Sequence, residues 1–281
     1  MDDTIITIYC LCNDFLKAIG HRDDPQARMS TAEVMTVPLV AATFFGANID
    51  KSRLFLHEYG YMKKMLGKSR LNRRIRAIEP KFWRVLFELL AQAFKERNAN
   101  QTYVVDSLPV AVCDNIRIRR CRLYPPEESA GAFRGYVPSK RRYFYGLRVH
   151  LMVSAKGEPV EFSLEAASEA DIKVFKNLEL ALLPEGSTIF ADKGYTDYDH
   201  EDLLEEAGGL HVKAQRRKNS KRPMPAWEEF LGKPIRQYIE TVFGRLSDLF
   251  AGKIHAVTPR APRGFELKIV WFLLAFSIQC L

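Results

Sequence analysis

The chain has 281 residues, 47% hydrophobic and 27% charged, which excludes a disordered or collagen-like chain and fits one large or two small globular domains. A net charge of +8 and a pI near 9.2 favour a polyanionic partner, nucleic acid before an acidic membrane. Five cysteines (Cys10, Cys12, Cys113, Cys121, Cys280) are odd in number and match no zinc spacing, so they read as reduced thiols of a cytosolic protein.

Asp2 and Asp3 stand where a secretory signal needs basic residues, and the longest apolar run, near the C-terminus, falls short of the roughly 18 residues of a membrane span. The first hundred residues predict helices. Ile5, Ile8, Cys12, Phe15 and Ile19 recur at helical spacing. Ser30 and Glu33 form a capping box ahead of the apolar run that starts at Val34. Gly60 and Gly67 interrupt the pattern. Ser69 is the expected cap of a short basic helix ended by Pro80, which itself suits the first turn of a long helix. On the basic helix Arg70, Arg73 and Arg74 share one face, either a DNA-docking face or a solvated one.

After Asn100 the pattern turns to strands. Residues 102–110 are β-branched and are expected to end at Pro109. Residues 144–154 and 159–166 alternate around Gly157, as a hairpin does. Residues 171–183 carry a helical period through Val174, Leu178 and Leu182. There follow a strand over 187–192, an acidic helix stopped by Gly208 and Gly209, a strand over 210–214 and a helix over 234–250. The most loop-like segments are 114–142 and 214–231.

Three antiparallel strands followed by alternating helices and parallel strands is the RNase H-like order. It predicts an α/β fold: a mixed sheet flanked by helices over 100–281, with an insertion near 110–142, preceded by an all-α domain over 1–99. In that order the tips of the first and fourth strands adjoin. Both end in a carboxylate, Asp106 in "VVDS" and Asp192 in "FADKGYTD". Alone, Asp192 reads as a turn residue; beside Asp106 it reads as half of a site.

A third carboxylate is sought on the last helix. At 100° per residue, Ile235, Tyr238, Ile239, Val242, Phe243, Leu246 and Leu249 form its apolar stripe, and Glu240 lies at the flank, one turn after Arg236. Glu228, in a loop, and Asp248, facing away from the stripe, are weaker choices. Three convergent carboxylates repel one another unless cations neutralise them. Two Mg²⁺ (or Mn²⁺) ions roughly 3.5–4 Å apart do so and carry out phosphodiester chemistry. No Cys/His cluster, phosphate-binding loop or nucleophile elbow competes for a different reaction.

The stretches "VVDSLPVAVCDNIRIRR", "YFYGLRVHLMVSAKGEPVEFSLEAA", "FADKGYTD", "RRKNSK", "IRQYIETVFGRL" and "KIHAVTPRAPRGFELKIVWFLLAFSI" resemble DDE-type insertion-sequence transposases, most closely the insertion sequence 982 family. The likeness spans nearly all of 100–281, and the helical part is similar in layout. It implies metal-dependent cleavage and strand transfer at insertion-sequence ends. It implies double-stranded DNA (element ends and target) as partner, a homodimer or higher assembly on DNA, no membrane, and a place in a bacterial or archaeal cytoplasm with the nucleoid. It puts the catalytic and metal-binding triad on Asp106, Asp192 and Glu240, and DNA contacts on Arg236 and Tyr238. Where related families carry a Lys two turns after the Glu, this chain has Ser247, with Arg245 nearby on another face.

The basic loops point to DNA independently of the resemblance. They hold Arg117, Arg119 and Arg120; Arg141 and Arg142, interleaved with aromatics; and Arg216, Arg217 and Lys218. Each alone reads equally as a solvated loop; three around one candidate site suggest phosphate contacts. His150 reads as a core histidine, Trp83 and Trp271 as core, and Trp227 as packing or as stacking on a base. Two other functions fit the same features: a stand-alone RNase H-like metal-dependent nuclease, and a catalytically silent DNA-binding relic.

Overall fold

A computed structural model describes residues 1–113, 115–129, 131–137, 141–250 and 261–281, apart from the side chains of Leu231, Ser247, Leu249 and Phe250. The roles considered for Leu249, Ser247 and the 253–260 stretch, His255 included, therefore lie outside the described residues. The chain forms two compact units, residues 1–89 with 246–281, and residues 90–245. These units do not follow a single cut near residue 100, because the closing helix Pro262–Gln279 packs on α2.

The first unit holds α1 (Asp2–Ala18), α2 (Thr31–Phe44), α3 (Ile49–Glu58), α4 (Lys68–Ala77), the start of α5 (Pro80–Arg97) and the closing helix. α2 is apolar all round and buried from Thr31 to Ala42 except at Glu33, so it forms the axis on which α1, α3, α4 and the closing helix pack. Its capping box forms: Glu33 N–H donates to Ser30 Oγ at 3.1 Å and Ser30 N–H to Glu33 Oε2 at 2.7 Å. Trp83 and Trp271 are core, their rings edge-on at 5.8 Å. The cap of α4 is Gly67, not Ser69. The chain is extended at Gly67 (ψ 154°), so Ser69 falls inside the first turn; burial of Leu71 and Ile75 rather than a capping bond holds this short helix. No single helix among the described residues is long and apolar enough to cross a membrane, and all five cysteines are unbridged.

The second unit holds the end of α5, β1 (Thr102–Cys113), a 3₁₀ turn (Asn115–Arg120), α6 (Pro126–Ser129), β2 (Arg134–Val137), β3 (Arg142–Ser154), β4 (Pro159–Ala166), α7 (Asp171–Phe175), β5 (Thr188–Ala191), α8 (Tyr198–Gly208), β6 (His211–Ala214) and most of α9 (Ala226–Phe250). β4, β3, β1, β5 and β6 lie in that order, with β2 extending the far end of β3. β1–β3 and β3–β4 are antiparallel; β1–β5 and β5–β6 are parallel. This is the RNase H-like sheet.

Four local readings change. Pro109 lies inside β1, which does not end at Asp106 but runs on to Cys113, so Asp106 stands mid-strand where the pairing with β5 stops. β5 stops opposite Val105, so beyond it β1 has β3 alone as a paired neighbour and a residue without an N–H fits. β2 forms within the segment read as loop. Residues 171–183 make only α7 and a 3₁₀ turn (Leu180–Leu182); Leu180 and Leu183 are buried and Leu182 is exposed, a spacing of three rather than 3.6. α9 starts eight residues before 234, so Pro234 lies within it and Glu228 is on a helix rather than in a loop, ion-paired to Lys213.

Candidate active site

The last parallel pair between β1 and β5 is Val105 with Ala191, so the next residue of each strand, Asp106 and Asp192, falls at the same edge of the sheet. Both carboxylates make the same local bond. Asp106 Oδ1 accepts the Ser107 N–H and Asp192 Oδ1 the Lys193 N–H, each at 2.7 Å. Asp192 also caps the 3₁₀ turn Lys193–Tyr195. α9 buries Ile239, Val242, Phe243 and Leu246 and so turns Glu240 to the same edge, with Glu229, Lys233 and Arg236 on earlier turns. The three carboxylates line one cleft of about 520 Å³, floored by Val104, Val105 and Ala191.

Among the described residues none of the three is ion-paired. Burial pushes the Asp106 carboxyl up to about 7; the charges of Asp192, Asp171 and Glu240 push the same way, and the Ser107 N–H opposes them. Arg236 points a buried guanidinium nitrogen, Nη1, that has no hydrogen-bond partner. The cleft thus holds unneutralised carboxylates beside an unsatisfied cationic donor, an arrangement suited to a phosphate and a cation together.

Among the described residues no three His, Cys, Asp or Glu side chains form a ready-made cation shell. Mg²⁺ does not need one, since it keeps several waters and takes one or two carboxylates plus substrate oxygens. Asp106, Asp192 and Glu240 line one cleft with no ion pair among the described residues, an oxygen-donor set that fits such an ion.

The basic residues divide into committed and exposed groups. Arg74 donates to the Met29 carbonyl at 2.8 Å, leaving Arg70 and Arg73 exposed on α4. Arg216 is bound through both guanidinium nitrogens by Glu201, at 2.7 and 2.5 Å, while Arg217 and Lys218 are exposed. Arg117, Arg119 and Arg120 are exposed on the 3₁₀ turn, and Arg141 and Arg142 at the start of β3. Tyr238 donates its hydroxyl to the Lys156 carbonyl at 2.8 Å and packs on Gly157 (φ +80°), where a Cβ would come within 3.0 Å of that hydroxyl; it docks α9 on the hairpin. Trp227 is 65% exposed and so fills no core.

Sequence reasoning missed Lys233 and Gln215 at the cleft, and Asp171 beneath it. Lys233 stood one turn before the Arg236–Glu240 pair and was legible in principle; Asp171 is brought in by tertiary packing alone.

With this geometry in hand, the profile of the transposase DDE domain matches residues 96–255. The chain belongs to that family. No curated protein sequence matches it. Among solved structures it is similar to the piggyBac transposase, seen by cryo-EM in a synaptic complex with hairpin DNA, at 14% identity and a TM-score of 0.35, over 79% of this chain and 50% of that one. The chain therefore spans about half the length of that transposase.

Proposed function

We propose that the cleft is the active site of a DNA transposase of the insertion sequence 982 type, with Asp106, Asp192 and Glu240 as its catalytic carboxylates. The observation that carries this reading is the pair of unpaired aspartates placed side by side where the pairing of two adjacent strands stops, at a cleft where α9 adds an unpaired glutamate. The three carboxylates would hold two Mg²⁺ (or Mn²⁺) ions, whose chemistry would be to activate the attacking oxygen and neutralise charge on the phosphate. Arg236 and Lys233, which line the same cleft, supply positive charge to a phosphate there. Water attacks the scissile phosphorus and frees a 3′-hydroxyl at the element end; that hydroxyl then attacks a target phosphodiester and displaces its 3′-oxygen. Exposed Arg70, Arg73, Arg119, Arg120, Arg141, Arg142, Arg217 and Lys218 contact phosphates of double-stranded DNA, and the helical N-terminal part binds the element end. Arg74, Arg216 and Tyr238 serve the fold instead. A homodimer or larger assembly on nucleoid DNA in the cytoplasm follows from this reading.

Asp192→Asn tests it. Mg²⁺-dependent cutting of an end-containing duplex should fall by several orders of magnitude, while a gel shift in EDTA stays intact. Wild-type cutting would reduce Asp192 to a turn residue. A gel shift with no preference for terminal inverted repeats over scrambled duplex would favour a stand-alone nuclease.

A further inference from the structure

Beneath the cleft runs a chain of polar groups that phosphodiester chemistry does not use directly. His150 of β3 is fully buried, yet its Nδ1 lies 3.1 Å from the Tyr195 hydroxyl and 4.0 Å from Asp171 Oδ1. Asp171, the first residue of α7, is held by Arg148 at 2.9 Å. Tyr195 is 1% exposed and ends the turn that Asp192 caps. Its phenol meets the Ser107 hydroxyl and feels the charge of Asp106. Nδ1 and the phenol share one hydrogen bond, whose direction follows the ring tautomer because a tyrosine hydroxyl both donates and accepts. Gly194 belongs to the same device: a Cβ there would stand 2.7 Å from Asp171 Oδ2, so a side chain at this position would displace the Asp171 carboxylate.

Burying this many polar atoms is worse for stability than an apolar filling of the same shape unless each is satisfied. His150 Nε2 and Arg148 Nε are buried without partners, so the cluster is not optimised for stability. Its bonds are directional, and they tie β3, the middle of β1 and the turn after β5 together at the level of the two aspartates.

We infer that Tyr195 is a positioning residue whose hydroxyl, bonded to His150, fixes the Asp192 turn so that Asp192 and Asp106 stand ready for a divalent cation. The inference rests on the active-site reading. The test is Mn²⁺ binding to the full chain without DNA, read from loss of the free-ion electron paramagnetic resonance signal. Tyr195→Phe keeps the ring and removes the hydroxyl. It should weaken Mn²⁺ binding about tenfold, the scale of a lost outer-layer partner, with unchanged duplex affinity in EDTA. Phe175→Leu is the packing control, since Phe175 meets the Tyr195 ring edge-on at 5.7 Å and bears no side-chain polar atom. It should lower the melting temperature and leave Mn²⁺ affinity alone. Asp192→Asn should abolish the same Mn²⁺ binding. Wild-type affinity in Tyr195→Phe, with binding lost in Asp192→Asn, overturns the inference and leaves the active site standing. Equal weakening in Tyr195→Phe and Phe175→Leu overturns it as well, because packing would then be the cause. Wild-type affinity in Asp192→Asn removes the active-site reading, and the inference falls with it.

Discussion

Along α8, Glu201 takes both guanidinium arms of Arg216, Asp202 those of Arg222 at 2.6 and 2.8 Å, and Asp197 the Lys176 amine at 2.6 Å. Those bonds hold the Asp197 and Asp202 carboxyls below the usual aspartate range. Where the pairing of β1 and β5 stops, in the same unit, Asp106 and Asp192 have no ion pair, and burial drives the Asp106 carboxyl the other way, up to about 7. One region uses its charges to hold the chain in shape. The other keeps them uncompensated, and such locally unfavourable electrostatics are what a bound cation and phosphate can convert into affinity.

The two regions should therefore respond oppositely to charge removal. Glu201→Ala strands Arg216, whose side chain is 14% exposed, and should cost about 3 kcal/mol, as breaking a buried pair does; urea unfolding at fixed pH reads this. Asp192→Asn, so damaging to cutting, should leave the urea midpoint unchanged or higher. A matching loss in both variants would erase the contrast.

A smaller effect belongs to His150. Burial depresses its ring to about 4, so the folded chain keeps it neutral while the unfolded chain protonates near 6.5. Its contribution is present above pH 6.5 and is lost as pH falls toward 4, at no more than about 1.4 kcal/mol per pH unit. His150→Gln should flatten that part of the stability profile; an identical profile would mean that the ring titrates in the folded chain.

The smallest effect is on DNA affinity. Replacing Arg217 and Lys218 by Ala together should lower the slope of log affinity against log salt by about two. Arg216→Ala should cost stability and barely move that slope, because its charge is already taken by Glu201.

The legible parts were those written in local pattern. The apolar runs that lead into Asp106 and Asp192, and the flank position of Glu240 on α9, follow from period and spacing, as does the strand order that brings the aspartates together; the continuation of β1 past Asp106 to Cys113 does not. Charge was legible at Arg74 and Arg216, but their partners were not: Met29 lies 45 residues from Arg74, and Glu201 lies 15 from Arg216. Pro234 obscured the start of α9, since a proline marks a first turn more often than an interior one. The His150–Tyr195–Asp171 cluster joins β3, the β5 turn and α7, and no window along the chain contains all three.

The three tryptophans divide the molecule optically. Trp83 and Trp271 form a buried pair in the helical unit, 1% and 6% exposed, whereas Trp227 stands 65% exposed on the helix that carries Glu240. A polar quencher such as acrylamide should darken Trp227 first and leave the blue-shifted emission of the pair. The protein thus carries two intrinsic dyes: one follows the integrity of the helical unit, and the other reports on the exposed start of α9.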